Sequence, residues 1–177
     1  MKKNSSLLRE WNLSDAESIA ENANNINIWN NLRDALPHPY SIEDGKEFIR
    51  MTMSQTKPAT LFAIVIDEKA VGSIGFYLKT DVERITAELG YFIGEKYWNR
   101  GITTEAVKQI TQYAFTNFPL HKIYATPFDF NIASHKVLQK AGFELEAILK
   151  HGAIKNGKII DLHYYSIINS AFIQKEK

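Results

Sequence analysis

The residues best equipped for chemistry lie between Glu88 and Lys108, in the stretch ELGYFIGEKYWNRGITTEAVK. Thr86 to Ile93 is rich in β-branched and aromatic residues. As a strand it puts Leu89, Tyr91 and Ile93 on one face and Glu88, Gly90 and Phe92 on the other. From Ile102 the period changes. Ile102, Ala106, Ile110 and Ala114 recur at helical spacing, widened by Val107 and Tyr113. Between strand and helix stand Trp98, Asn99, Arg100, Gly101, Ile102 and Thr103, with the glycine where the backbone must approach something closely. A helix start carries unpaired N–H groups and the positive end of the dipole, and Arg100 adds a full charge beside them. The amides of Arg100, Gly101, Ile102, Thr103 and Thr104 can therefore cradle a diphosphate. The plainer alternative is an ordinary turn with one glycine. No Gly-Lys-Ser/Thr follows and no Gly-x-Gly-x-x-Gly is present, so the stretch matches neither nucleotide-binding fingerprint.

A second stretch, NIASHKVLQKAGF from Asn131 to Phe143, stands about 30 residues further on. Together the two stretches resemble the GNAT acyl-CoA N-acyltransferases, and more closely their RimJ/RimL-like branch. In that branch a Glu-(Leu/Ile)-Gly-Tyr strand leads into a Tyr-Trp-x-(Lys/Arg)-Gly-Ile turn, followed by an Asn-x-x-Ser helix ending in Ala-Gly-Phe. The resemblance runs from Leu7 to about Ile168. It implies a mixed, mostly antiparallel central sheet of about seven strands, splayed after the fourth, with helices on both faces and acetyl-CoA lying in the splay. Pantetheine amides would meet the backbone of Tyr91, Phe92 and Ile93. The diphosphate would rest on the turn from Trp98 to Thr104. Asn131 would contact the pantetheine arm, or serve only as a helix cap.

The reaction such a site must perform has three parts. An ammonium has to lose a proton before its nitrogen attacks the thioester. The oxyanion needs donors, which the resemblance places on backbone N–H groups near Phe92 or Ile93. The CoA thiolate must then depart. Glu88 is the candidate base, acting through water; its alternative is to pair with a nearby cation or face solvent. Ser134, one helical turn beyond Asn131, is the candidate to assist the thiolate, or an ordinary polar helix residue. The sequence departs from the wider family at Trp98, usual in this branch, and at Thr103, which adds a β-branched side chain beside the phosphates. Many relatives carry a tyrosine acid where Leu138 stands here, leaving that role to Ser134 or to unassisted departure of a thiol of pKa about 8.5.

The elements that must position these residues can be read in order. Ser6 to Trp11 predicts a short strand, and Ser14 with Glu17 a capping box opening a helix to about Asn24. Pro37 and Pro39 interrupt the next segment, and Ser41 to Asp44 caps a helix to about Met53. Leu61–Ile66 and Ala70–Lys79 form a hairpin about a tight turn at Asp67 to Lys69. His121 to Thr126 is a strand, Gly142 closes the helix after Asn131, and Asn156-Gly157 joins two final strands in a two-residue turn. The order β-α-α-β-β-β-α-β-α-β-β implies an α/β (α+β) mixed sheet. Residues 7–170 are expected to be one domain, with 1–6 a flexible N-terminus and 171–177 a tail.

The 177 residues are 45% hydrophobic, enough for a normal core. Their 21 basic and 20 acidic residues give no bulk attraction to nucleic acid or an acidic membrane. No cysteine is present, which excludes disulfides, thiolate metal sites and a cysteine nucleophile. The five histidines are too scattered for a metal motif, and Ser134, His163 and Asp161 lack a nucleophile elbow. The expectation is a cytoplasmic enzyme, monomer or homodimer, with no metal, no nucleic acid and no membrane partner. It moves an acetyl group from acetyl-CoA to a primary amine, either a protein N-terminus or a small amine such as a polyamine or aminoglycoside. A non-catalytic acyl-CoA-binding module is the alternative. Trp29, His38, Tyr40 and Phe48 shape an acceptor pocket or pack the core, one of Tyr164 and Tyr165 faces the acceptor, and Glu43, Asp44 and Glu47 hint at a cationic acceptor.

Overall fold

The computed structural model describes residues 7–173. Its frame is a seven-stranded sheet built from β1 (Leu8–Arg9), β2 (Leu61–Ile66), β3 (Lys69–Leu78), β4 (Thr86–Ile93), β5 (Lys122–Ala125), β6 (Glu144–Lys155) and β7 (Lys158–Ile168). The spatial order is β1-β2-β3-β4-β5-β7-β6. Only β4 and β5 run parallel; every other neighbouring pair is antiparallel. Both hairpin turns are of the mirror type that suits twisted strands. Asp67 and Glu68 join β2 to β3 with φ of 48° and 66°, and Asn156 and Gly157 join β6 to β7 with φ of 51° and 74°. The expected splayed architecture is the one found. The expected N-terminal segment 1–6 lies outside the described residues. At the other end the chain runs past residue 170 as a helical turn, Ser170–Ile173, with Phe172 against the His121 ring.

The helices are α1 (Ala16–Ala23), α2 (Ile26–Trp29), α3 (Ile42–Met53), α4 (Ile102–Asn117), α5 (Ile132–Lys140) and α6 (Ser170–Ile173). Helix α4 lays Ala106, Val107, Ile110 and Ala114 on one side of the sheet, against Ile74, Phe76, Leu89 and Ile123. On the other side Ile19 of α1 and Ile49 of α3 pack with Trp11, Ala63 and Ala70. The first capping box differs from the expected one. Asn12 is the cap and Asp15 returns the bond, opening a single 3-10 turn over Leu13–Asp15 before α1. Arg9 decides this, because its guanidinium grips both Asp15 oxygens at 2.6 and 2.7 Å and fixes that carboxylate two residues before Glu17. Burial pushes the Asp15 carboxyl up, but the Arg9 bond and the Asn12 amide outweigh it and hold it below the ordinary aspartate value.

β4 is the middle strand and is packed on both faces. Ala87, Leu89, Tyr91 and Ile93 join the α4 side, whereas Phe92 packs among residues of α1 and α3. Its fit against β3 is close. A Cβ on Gly72 would lie 2.3 Å from the Phe92 carbonyl oxygen and 2.8 Å from the Ile93 Cα, both backbone atoms that cannot swing aside. Gly72→Ala is expected to lower stability by about 3 kcal/mol, the upper range for overpacking. Urea unfolding should show a lower midpoint at unchanged m. A midpoint equal to wild type would mean that β3 and β4 can part at this point.

Candidate active site

The parallel pairing of β4 with β5 covers three residue pairs and stops: Thr86↔Lys122, Ala87↔Ile123 and Glu88↔Tyr124. The cause is in β5. Pro127 follows Thr126, and from there the chain leans toward β7, bonding His163 N–H to the Pro127 carbonyl and bridging Phe128 to Leu162. β4 meanwhile continues five residues to Ile93 beside β3. A wedge therefore opens after Glu88, with the strand edge of Leu89 to Ile93 along one side.

Alternation decides which backbone groups face that wedge. Lys79 N–H bonds the Thr86 carbonyl and Gly94 N–H bonds the Val71 carbonyl, so the even-numbered residues of β4 spend their amides and carbonyls on β3. Tyr91 and Ile93 point theirs into the wedge. Phe92 does not, which corrects the expectation that it offers backbone contacts or an oxyanion donor there: its carbonyl lies against Gly72. The Ile93 carbonyl already accepts the Trp98 indole N–H at 3.0 Å. Tyr91 thus offers a donor and an acceptor, and Ile93 an N–H.

Beyond Ile93 the chain makes a short 3-10 turn, Glu95–Tyr97, and reaches α4 through two left-handed residues, Asn99 at φ 58° and Gly101 at φ 75°. Gly101 is the N-cap of α4, and its carbonyl receives the Glu105 N–H, the first bond of the helix ladder. The amides of Ile102, Thr103 and Thr104 come before that bond and have no partner within the helix. A Cβ on Gly101 would meet nothing within 4 Å, so the turn is open. Arg100 leans over the Tyr97 ring at 5.8 Å, beside the opening. An open turn of amides at a 16-residue helix fits a diphosphate.

On the far side of the wedge Asn131 caps α5, its side-chain oxygen accepting the Ser134 N–H at 3.1 Å. The cap uses the oxygen and leaves the amide NH₂ to donate elsewhere. The Ser134 hydroxyl lies 2.6 Å from the Tyr91 hydroxyl, tying α5 to β4. Burial pushes the Tyr91 phenol well above its ordinary value, outweighing the lowering by Ser134. The phenol therefore stays protonated, and when it donates to Ser134 the serine proton is free to turn toward the wedge. Leu138 is fully buried in the main core, so its position offers no proton to a thiolate. The Ser134, His163 and Asp161 triad is not assembled. His163 lies against His135, ring centroids 4.5 Å apart and tilted, and Asp161 accepts the His151 N–H at 2.8 Å.

Glu88 sits at the apex of the wedge, on the opposite face of β4 from Tyr91. Its carboxylate receives Arg33 Nη2 at 2.6 Å and Lys79 Nζ at 3.1 Å, and lies 3.3 Å from the Thr126 hydroxyl. Half-burial pushes its pKa up, but the Lys79 bond and the Arg33 charge and bond outweigh that and hold it below the ordinary glutamate value. Arg33 was not singled out in the sequence, where it is one cation in an asparagine-rich, aperiodic loop. The final hairpin holds that loop. Lys155, only 4% exposed, lies 3.5 Å from the Trp29 ring centroid and 2.6 Å from an Asp34 oxygen, and Asn156 bonds Asn30. Trp29 also stacks with His38, while Tyr40 is buried against Ala20 and Ala23 and Phe48 packs on Trp11. Tyr165 is in the core. Tyr164 takes the Glu88 face, stacked on Tyr124 at 4.7 Å, with its phenol pushed up to about 12, first by burial. Of the α3 carboxylates, Glu43 is paired with Lys46 and Asp44 is held in the cap by Ser41.

A wedge between two parallel strands that leads to an open amide turn is the feature on which comparison with known proteins turns. The family model for the acetyltransferase (GNAT) domain matches residues 6–144. The chain belongs to the GNAT acetyltransferases. The GNAT chain is 29% identical over 164 residues to the uncharacterized N-acetyltransferase YnaD of Bacillus subtilis, covering 92% of each. Among solved structures it resembles the microcin C7 self-immunity acetyltransferase MccE, in complex with acetyl-CoA and AMP, at 26% identity and TM-score 0.79, over 92% of this chain and 91% of that one. It resembles the ribosomal-protein-S5-alanine acetyltransferase of Vibrio fischeri at 25% identity and TM-score 0.80, over 93% of both. Membership of this family, with N-acetyltransferases among the relatives, supports an enzyme. No helix among the described residues is long and apolar enough to cross a membrane, and none of their His, Cys, Asp and Glu side chains group as metal ligands.

Proposed function

We propose that this GNAT enzyme carries an acetyl group from acetyl-CoA to a primary amine in one direct displacement. The observation that carries the reading is the three-residue limit of the β4–β5 pairing, with the open Gly101 turn at the end of the gap it leaves. Pantetheine would lie along the Tyr91 and Ile93 edge as a pseudo-strand, its diphosphate on the amides of Gly101 to Thr104, with Arg100, Trp98 and Asn99 shaping the rim and Asn131 donating from α5. The amine enters on the Glu88 face. A water held by Glu88 takes the ammonium proton and the freed nitrogen pair forms the C–N bond; the C–S bond breaks with its electrons on sulfur, and the proton that the nitrogen sheds after bonding balances the one the thiolate takes up. An N–H of the Tyr91 and Ile93 edge faces the developing oxyanion, and Ser134, backed by Tyr91, supplies a donor to the thiolate.

The acceptor is a protein N-terminal amine or a small amine. A release assay for free CoA with a panel of both tests the reading, alongside titration of acetyl-CoA into the protein. Turnover with at least one amine is expected. Micromolar acetyl-CoA binding with no turnover on any amine would overturn it and leave a binding module.

A further inference from the structure

The Glu88 carboxylate is already paired where an amine must arrive. Two cations, Arg33 and Lys79, meet one carboxylate at the apex of the wedge. A groove of about 540 Å³ beside Trp98 and Phe130 is lined by asparagine amides and by Lys155 and Lys158, with the Lys155 ammonium paired to Asp34 at 2.6 Å. A polyamine or an aminoglycoside would bring several cations to an apex whose carboxylate is already shared by Arg33 and Lys79. Attraction alone cannot have shaped such a site for a polycation.

Arg33 is built to receive an anion. One nitrogen, Nη2, makes both of its bonds, to Glu88 and to the Thr126 hydroxyl at 2.9 Å. Nη1 and Nε have no partner among the described residues. The side chain is 60% exposed, so this unused edge of the guanidinium is reachable. A guanidinium edge is shaped for a carboxylate held by two parallel bonds. The loop that carries it is pinned from both sides, by Lys155 under Trp29 and by the Arg33 bridge to β4 and β5, so the edge is held in place rather than sweeping through solvent.

We propose that the acceptor is an amine that carries its own carboxylate a few ångströms from the nitrogen, with Arg33 binding the carboxylate and Glu88 receiving the ammonium. The proposal rests on the acetyl-transfer reading for the reaction but not for the binding. An Arg–Glu pair set side by side is the mirror image of a zwitterion: the acceptor exchanges one ion pair for two. As the acceptor carboxylate draws on Arg33, Glu88 keeps Lys79 and gains the ammonium, whose proton leaves through the water it holds. The same chemistry is offered by a free α-amino acid and by a peptide whose first residue is acidic.

The test uses matched acceptors on the full chain: alanine against alaninamide for the free amino acid, an Asp-Ala amide against an Asn-Ala amide for the peptide, and spermidine for the polycation. At least one carboxylate-bearing member should exceed its neutral partner about tenfold in kcat/KM, mostly through KM, and the responding pair tells amino acid from peptide. Arg33→Gln should bring that ratio close to one without changing the Kd of acetyl-CoA. Arg33→Lys, which keeps the charge and loses the fork, should restore only part of it. Equal rates within both pairs, a preference for spermidine, or a ratio that survives in Arg33→Gln would overturn the proposal. Calorimetric titration of the CoA-loaded protein with the same pairs reads the carboxylate requirement without turnover. Carboxylate-dependent binding with no acetyl transfer would uphold the Arg33 assignment and sink only the reaction. Binding indifferent to the carboxylate would sink Arg33.

Discussion

Replacing Glu88 with glutamine is expected to lower kcat by about 100-fold at pH 7, the lower end of what a positioned general base contributes, with the Kd of acetyl-CoA unchanged. The pH dependence follows from the two cations beside the carboxylate. Half-burial raises the Glu88 pKa, yet Lys79 and Arg33 leave it below the ordinary value, so it is ionised throughout the neutral range and cannot be the group that titrates there. The rising limb of the rate profile belongs to the acceptor amine, with a pKa of about 8 for an α-amine and 10 for a side-chain amine. Below that value the amine arrives protonated and needs a base at the site; above it the amine arrives neutral. The deficit of Glu88→Gln should therefore shrink as pH rises through the acceptor pKa. A deficit of constant size from pH 6.5 to 10 would show that Glu88 only places the acceptor. Because the folded-state pKa is depressed, the stabilising effect of this carboxylate is present above its unfolded value of about 4.3 and is lost as pH falls through the lower folded one. The glutamine variant should lack that part of the acid-side loss.

The second large effect is expected at the turn before α4. Gly101 sits at φ 75° with open space where a side chain would project. Substitution there leaves the core untouched and fills the place assigned to the diphosphate. Gly101→Asp tolerates the left-handed backbone and adds a negative charge. At about 5 Å from one phosphate charge and an effective dielectric near 20, the repulsion is about 3 kcal/mol, or 100-fold in affinity. Acetyl-CoA binding by calorimetry should weaken by that factor, while the melting temperature moves by only a few degrees. Gly101→Asn, of similar size and backbone tolerance but without charge, should cost about tenfold. If both variants bind acetyl-CoA as tightly as the parent, the diphosphate does not rest on this turn.

How far the sequence could take these arguments depended on the range of the forces involved. The hairpin at Asn156-Gly157, the cap at Ser41 and Asp44, and α4 from Ile102 were legible because a few neighbouring residues decide each one. The two faces of β4 were legible for the same reason, as a period of two. The first helix start was misread because the choice between the Ser14 and Asn12 caps is made by Arg9, whose grip on Asp15 depends on β1 standing beside β2. Phe92 could be placed on a face but not given a hydrogen-bonding side. That side follows from the β3 register, through the bonds of Val71 to Gly94 and Lys79 to Thr86, and no pattern within the strand reveals it. Arg33 lay furthest out of reach: its partners stand 55 and 93 residues away, and its loop is held by a buried lysine 121 residues from Asp34.

The pleat of β4 has an engineering consequence. In the proposed reading the backbone of Tyr91 and Ile93 serves the thioester carrier and the Glu88 side chain serves the guest amine, so the two binding events use different sides of one short ribbon. Diversifying Arg33, Lys79 and Thr126 should retarget the enzyme to other amines at little risk to its affinity for CoA, and a lineage under changing demand could take the same route.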